Sequence, residues 1–285
     1  MRTHHPVIIV HGGAGHPPEE TLSRRLKGCE QAALMGWEVL QKGTSALEAV
    51  EMAVIELEDN PLFNAGTGST LNVHGQVEMD AAIMDGRTLK AGAVATVSRI
   101  RNPIHLARKV LEDGRHVLLG GEGAHRFARQ SGVPEYPPES LIVEDARRRW
   151  EKQHGTVGCV ALDQAGGIAV GTSTGGLFDK LPGRIGDSPL LGCGTYADDS
   201  GGVSCTGNGE AIIRVVMAKT TLDFMRAGSH PMDTAKKAVA LLEEKTGGKG
   251  GLIIIDKNGK VGYARSTSEM PICVVSGPGK IFTDR

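Results

Sequence analysis

Apolar and polar positions along this chain alternate between two periods. Residues 6–10, PVIIV, form a short apolar run that predicts a buried strand leading into HGGAG at 11–15. Leu22, Leu26, Cys29, Ala33, Trp37 and Leu40 then recur near helical spacing. A second helix is predicted from Ser45, where Glu48 completes a capping-box pattern. Leu47, Val50, Val54 and Leu57 share one face of it, and Asn60-Pro61 ends it. Val77, Met79, Ala81 and Ile83 alternate as a strand does, and residues 91–97 read as another. Asn102-Pro103 opens a helix carrying Ile104, Ala107, Val110 and Leu111. Residues 116–119 read as a strand and 122–130 as a short helix.

The texture changes at residue 133. Pro134, Pro137 and Pro138 precede the charged run EDARRRWEKQ, which predicts a mobile linker over 133–155. Beyond it, TVGCVALD from Thr156 and GGIAVGTST from Gly166 read as two strands joined by a turn at DQAGG. Residues 210–226 and 232–245 read as helices, and 252–255 and 261–264 as strands flanking DKNG. Strands in both halves, with helices between and after them, predict a layered α/β protein in one structural domain. No internal repeat is present.

Composition narrows the function. Lys+Arg 32 against Asp+Glu 33 gives a net charge of -1, and no long block of one sign exists. That balance argues against nucleic acid or a membrane surface as partner and favours a small molecule or a second copy of the chain. Gly is 40 of 285 residues, about twice the usual share, without the period of a fibrous protein. The five cysteines are odd in number and include no CxxC pair, which argues against a disulfide framework or thiolate metal site. The first apolar run is too short for a signal peptide or membrane span, so a cytoplasmic location is expected.

Several short stretches carry candidate chemistry, and each also has a plain structural reading. Thr156 follows Gly155 and the linker. A cut between them would give the threonine a free α-amine, which titrates near pH 8 and can act as base for its own hydroxyl. Gly155 would let the backbone take up a strained geometry there. On this motif alone an ordinary threonine at a strand start is the better reading. GTSTGG at 171–176 matches G-x-S-x-G, with Ser173 as nucleophile and only His230 downstream as base. Alternatively, Thr172 and Thr174 lie on one strand face beside Thr156. Arg184 and Asp187 suit a carboxylate and an ammonium, or else form a mutual surface ion pair. Thr206 and the amides of CTGNGE at 205–210 suit an oxyanion hole, or a glycine turn with a helix cap. GCGTYA at 192–197 fits a dinucleotide pattern without an evident helix behind it. GTGST at 66–70 lacks the lysine of a phosphate loop, and HExxH spacing is absent.

Taken together and in this order, these stretches resemble the plant-type L-asparaginase/isoaspartyl peptidase family of N-terminal-nucleophile hydrolases. HGGAG at 11, NPLFNAGTGS at 60, MDAAIMDG at 79, AGAVA at 91, RNPIHLAR at 101, GEGA at 121 and the threonine-rich second half carry the resemblance. It implies a four-layer αββα sandwich and a precursor that cuts itself into an α segment, 1–155, and a β segment, 156–285. The two would stay associated, and a dimer of αβ units would form. It implies Thr156 as nucleophile, Thr174 as its assistant and Asn64 as support. Arg184 and Asp187 would grip the substrate's α-carboxylate and α-amine, and Thr206 and Gly207 would bind the oxyanion. The main-chain carbonyls of Leu57, Glu58, Asn60, Phe63, Ala65 and Thr67 would hold a structural sodium ion, while the chemistry would require no cofactor. Hydrolysis of β-aspartyl dipeptides and L-asparagine follows as the expected activity. A glycosylasparaginase is the alternative within hydrolases, although its relatives resemble TSTNG where this chain has TSTGG. A dinucleotide-binding oxidoreductase using GCGTYA is the rival of another class. A non-catalytic relative is disfavoured by the intact set Thr156, Thr174, Arg184 and Asp187.

Overall fold

The computed structural model describes residues 4–16, 19–143 and 155–285. Its first half contains β1 (Val7–His11), α1 (Glu19–Gln41), α2 (Ala46–Asp59), β2 (Met79–Asp85), β3 (Ala91–Val97), α3 (Pro103–Asp113), β4 (Leu118–Gly120) and α4 (Gly121–Gln130). The second half contains β5 (Val157–Leu162), β6 (Ile168–Thr174), β7 (Thr195–Asp198), β8 (Gly201–Gly207), α5 (Gly209–Val215) and α6 (Met217–Arg226). It closes with α7 (Pro231–Thr246), β9 (Gly250–Asp256), β10 (Val261–Arg265), β11 (Ile272–Val275) and β12 (Ile281–Asp284).

The strands form two sheets. The larger runs β12-β11-β1-β5-β6-β2-β3-β4, antiparallel throughout except for the β3–β4 pair. The smaller runs β10-β9-β8-β7 and is wholly antiparallel. Side chains of successive strand residues point to opposite faces, so one apolar run can feed two cores. In β1, Ile8 and Val10 pack with Val50 and Val54 of α2 and Ile104 of α3, whereas Val7 and Ile9 pack with Ile253 and Ile255 of β9. In β9, Leu252 and Ile254 turn away from the larger sheet to meet Ile212, Leu222 and Leu242 of α5, α6 and α7. The inner strands of both sheets are thereby buried on both faces, which explains their continuous apolar runs. The protein is a mixed α/β structure with two sheets and covering helices.

Local signals explain several boundaries. Ser45 caps α2 with the reciprocal Glu48 bonds of a capping box, worth about 1 kcal/mol, and Asn60 ends the helix. Pro103 stands in the first turn of α3, and Gly114 ends it in a left-handed conformation.

Other features depart from the sequence expectation. The helix expected over 210–226 is two helices, broken at Val216, whose φ of 50° is left-handed. The break turns the amides of Ala218 and Lys219 onto the carbonyls of Cys193 and Gly192, at 2.9 Å each, so tertiary hydrogen bonds override local propensity. Strands β7, β8, β11 and β12 were not expected. In β8, glycine serves close packing rather than a turn: a Cβ on Gly202 would stand 2.8 Å from Val160 Cγ1 of the facing sheet. The first part of the expected linker is packed down. Pro138–Leu141 forms a 3-10 turn, Val133 and Leu141 are buried, and the Gly68 amide donates to the Leu141 carbonyl at 3.1 Å. Residues 144–154 of that linker lie outside the described residues. No helix among the described residues is long and apolar enough to cross a membrane.

Candidate active site

Strands β5 and β6 are neighbours near the centre of the larger sheet, and Val157 pairs with Ser173. One step along this antiparallel register sets Thr156 opposite Thr174. The Thr156 hydroxyl donates to Thr174 Oγ1 at 3.1 Å. Thr174 Oγ1 in turn donates to the Gly155 carbonyl at 3.3 Å and accepts from the Gly176 amide at 2.9 Å. Asn64 Nδ2 donates to the same Gly155 carbonyl at 2.8 Å and to that of Gly176 at 2.7 Å, while its Oδ1 accepts from the Thr70 amide. The carbonyl of the 155–156 bond therefore receives two side-chain donors. A Cβ on Gly155 would meet nothing closer than 3.8 Å. Hydrogen bonds from Asn64 and Thr174 hold the carbonyl of this peptide.

Period two also settles Ser173. It faces the opposite side of β6 from its threonine neighbours, is fully buried, and donates to Glu58 Oε1 at 2.6 Å. Burial raises the Glu58 carboxyl to about 8, so it keeps its proton at neutral pH. His230 caps the distant start of α7, its Nδ1 accepting from the Met232 amide. Among the described residues no histidine hydrogen-bonds Ser173, and the nucleophile-elbow reading is not supported. GCGTYA runs into β7 rather than a helix, which removes the dinucleotide reading.

Thr172 shares the face of Thr174. Its hydroxyl meets Ser204 Oγ of β8 at 2.8 Å, and that atom meets His11 Nε2 at 2.9 Å. Burial lowers His11 to a pKa of about 3, so this chain of polar groups between the sheets is uncharged. Sequence reasoning missed His11; the signal was a histidine ending an apolar strand just before two glycines.

The loop after β6 brings in charge. Arg184 Nε and Nη2 donate to the two carboxylate oxygens of Glu210 at 2.9 and 3.0 Å. Asp187 is 4% exposed, and its Oδ2 has no hydrogen-bond partner among the described residues. Burial raises its carboxyl to about 7. Arg184 and Asp187 are thus not a mutual surface pair. Buried Asp80 of β2 accepts from the Gly186 amide at 3.1 Å, between the two, and from the Thr96 amide at 2.9 Å. Lys180, its pKa lowered to about 8 by burial, donates to the carbonyls of Gly175, at 2.6 Å, and Glu78. Asp80, Lys180 and Glu210 were missed too. A carboxylate inside the apolar alternation of MDAAIM was the one visible sign.

Gly155, Thr156, Thr174, Arg184, Asp187 and Gly207 line one cleft, whose free volume of about 10 Å³ matches a single water. Gly207 has a φ of 139°, and a Cβ on it would stand 2.4 Å from the Gly250 Cα, so only glycine closes β8 onto β9 here. Thr206, the residue before it, is fully buried, and its Oγ1 accepts from the Ala14 amide at 3.0 Å. In the 57–67 loop, the carbonyls of Glu58 and Asn60 accept from the Thr67 and Phe63 amides at 2.8 and 3.1 Å. Each keeps a second lone pair. No group of three or more His, Cys, Asp or Glu among the described residues suits a metal ion.

Residues 4–154 and 151–281 match the family described as asparaginase. Among curated proteins, the isoaspartyl peptidase/L-asparaginase of Danio rerio is 49% identical over 89% of this chain and 87% of its own length. The plant-type L-asparaginase of Pyrococcus furiosus is 48% identical, over 92% and 94%. The isoaspartyl peptidase/L-asparaginase of Homo sapiens is 45% identical, over 93% and 92%. Matches of this extent and identity show that the chain belongs to the asparaginase family.

Proposed function

We propose that this chain is an autoprocessed amidohydrolase that cleaves β-aspartyl dipeptides and L-asparagine, with Thr156 as its nucleophile. The observation that carries the reading is the convergence of Thr156, Thr174 and Asn64 on the Gly155 carbonyl. Attack by Thr156 Oγ on the Gly155 carbonyl carbon forms an ester and breaks the C–N bond, and the hydroxyl proton passes to the Thr156 nitrogen, which leaves as an amine. Asn64 and Thr174 stabilise the oxygen that gains charge in this step. Water then hydrolyses the ester, releasing Gly155 as a carboxylate and Thr156 with a free α-amine. The tightness of the uncut cleft supports this order: removal of residue 155 makes room for a substrate.

In the cut protein the α-amine takes the hydroxyl proton as Oγ attacks the substrate's side-chain amide, and returns it to the leaving amine. Arg184 binds the α-carboxylate once it exchanges Glu210 for the ligand. Asp187, with an oxygen unpaired in the buried cleft, binds the α-ammonium. Thr206 and Gly207 bind the oxyanion. Water hydrolyses the aspartyl ester and regenerates Thr156.

On this reading the layers form the αββα sandwich of N-terminal-nucleophile hydrolases. The segments 1–155 and 156–285 remain one structural domain, pair as a dimer of αβ units, and work in the cytoplasm. A sodium ion suits the 57–67 loop, whose carbonyl oxygens are hard donors. Leu57, Glu58, Asn60, Phe63, Ala65 and Thr67 would hold it, with a purely structural effect on the adjoining Asn64.

Intact mass spectrometry of the purified protein over time, alongside assays on β-aspartyl-leucine and L-asparagine, tests the proposal. Two pieces are expected, the smaller beginning TVGCVALD, with hydrolysis appearing as they accumulate. An uncut chain that turns over both substrates would sink it.

A further inference from the structure

The cleft does not end at Gly207. Leu177 and Gly207 line both the cleft and a second, open groove of about 700 Å³, within the usual range for small-molecule sites. The groove is also lined by His16, Asn208, Lys249 and Thr267. Arg184 and Asp187 do not line it.

The layout matters for a dipeptide. If Arg184 and Asp187 hold the aspartyl α-groups and Thr156 attacks the side-chain carbonyl, the leaving nitrogen points away from Arg184 and Asp187. The residue attached to that nitrogen has to leave through the mouth shared by Leu177 and Gly207. Charge fits as well. None of the described lining residues carries a carboxylate, whereas Lys249 is among them. Lys249 Nζ is held by Glu243 Oε1 at 2.9 Å, but the two side chains are 61% and 41% exposed. Such a surface pair is weak and exchanges readily for another carboxylate. Ala14 and Leu177 give the groove an apolar wall.

We propose that this groove is the leaving-residue subsite, taking the second amino acid of a β-aspartyl dipeptide with its free α-carboxylate at Lys249 and an uncharged side chain against Leu177 and Ala14. The proposal rests on the amidohydrolase reading above. It also separates the two substrates, because L-asparagine releases ammonia and places nothing in the groove.

A substrate-and-mutant cycle tests it. The kcat/KM values of β-aspartyl-leucine and of its C-terminal amide are measured on the processed wild-type protein, on Lys249→Gln and on Lys249→Arg, with L-asparagine in parallel. Wild type and Lys249→Arg should prefer the free carboxylate by about fivefold, the scale of an exposed charge pair. Lys249→Gln should show no preference. A merely structural role for Lys249 lowers both dipeptides alike and leaves the preference intact, which overturns the proposal. Equal rates on the two dipeptides in wild type overturn it too. L-asparagine turnover marks which idea has failed: present, the groove assignment alone falls; absent in wild type, the amidohydrolase reading falls with it.

Discussion

The two ends of the cleft are built in opposite ways. At the Thr156 end, uncharged groups at the ends of the central strands β5 and β6 and on the loop after α2 satisfy one another: Thr156 bonds Thr174, and Asn64 and Thr174 bond the Gly155 carbonyl. At the Arg184 end, charged groups sit on a loop. One is tied to the Glu210 carboxylate, and the other has a buried oxygen with no hydrogen-bond partner among the described residues. Buried polar groups are normally paired, and an exception asks for an explanation. The contrast teaches a division of labour. Under the proposed function, chemistry at the Thr156 end has fixed aim before any ligand arrives, whereas recognition at the Arg184 end is completed by the charges a ligand brings.

The sharpest way to break the comparison is to remove the hydroxyl that both reactions share. Thr156→Ala should abolish self-cleavage and hydrolysis together, as read by gel and by product assay. Ser173→Ala, on the far face of the same sheet, should retain hydrolysis. Activity in the first variant and none in the second would reverse the assignment of the two faces.

Asn64→Ala probes the same end less severely. Loss of one donor to the Gly155 carbonyl should slow self-cleavage by about 10²–10³, the usual cost of an oxyanion donor. The measurement is the half-time of appearance of the 156–285 segment. Unchanged cleavage would mean that the 2.8 Å bond to Gly155 orients the chain without assisting the reaction.

At the other end, Arg184→Ala and Asp187→Ala should each cost about 1.5–3 kcal/mol of charged hydrogen bonding, roughly 10- to 150-fold in kcat/KM. Self-cleavage should be far less affected, because the uncut chain presents no free amino acid to either group. Substrates with a blocked α-amine or α-carboxylate should fail on wild type. Equal loss of cleavage and hydrolysis in these variants would erase the division between the ends.

The sequence made the two ends legible to different degrees. Period two places Thr172 and Thr174 on one face and Ser173 on the other, and the capping box at Ser45 fixes the start of α2. Those signals are local and survive in a one-dimensional pattern. The partners that complete the cleft come from far along the chain: Asn64 reaches Gly155 across 91 positions, and Asp80 reaches Gly186 across 106. The resemblance to the family supplied the roles of Asn64, Arg184 and Asp187, which spacing alone left open. It did not supply Asp80, Lys180 or His11, since a supporting polar residue in an apolar strand reads as an ordinary interruption. Glycine hid β8, because its seven residues, GGVSCTG, carry the composition of a turn while serving close contact between sheets. Val216 was hidden for the converse reason, since a β-branched residue gives no local sign of a left-handed break.

The mildest test acts on pH rather than on sequence. Burial pushes the Asp187 carboxyl up to about 7 in the unliganded protein. An ammonium ligand prefers the ionised form, so below that value binding must first remove a proton. Affinity for L-aspartate should therefore rise with pH, by up to about tenfold per unit below pH 7, and level off above it. Between pH 5 and 8 the charge of free aspartate itself is constant, and the α-amine of Thr156 takes no covalent part in simple binding. Succinate, which lacks the ammonium, gains nothing from ionised Asp187 and should bind no more tightly as pH rises. The contribution of Asp187 to folding has the opposite sign. A carboxyl raised above its usual value favours the folded state at acid pH, and that contribution is lost as pH rises through about 7. Calorimetric titrations of both ligands from pH 5 to 8 separate the two effects. A flat aspartate profile, or one that succinate follows in parallel, would show that Asp187 does not hold the ammonium and that the unpaired oxygen has another use.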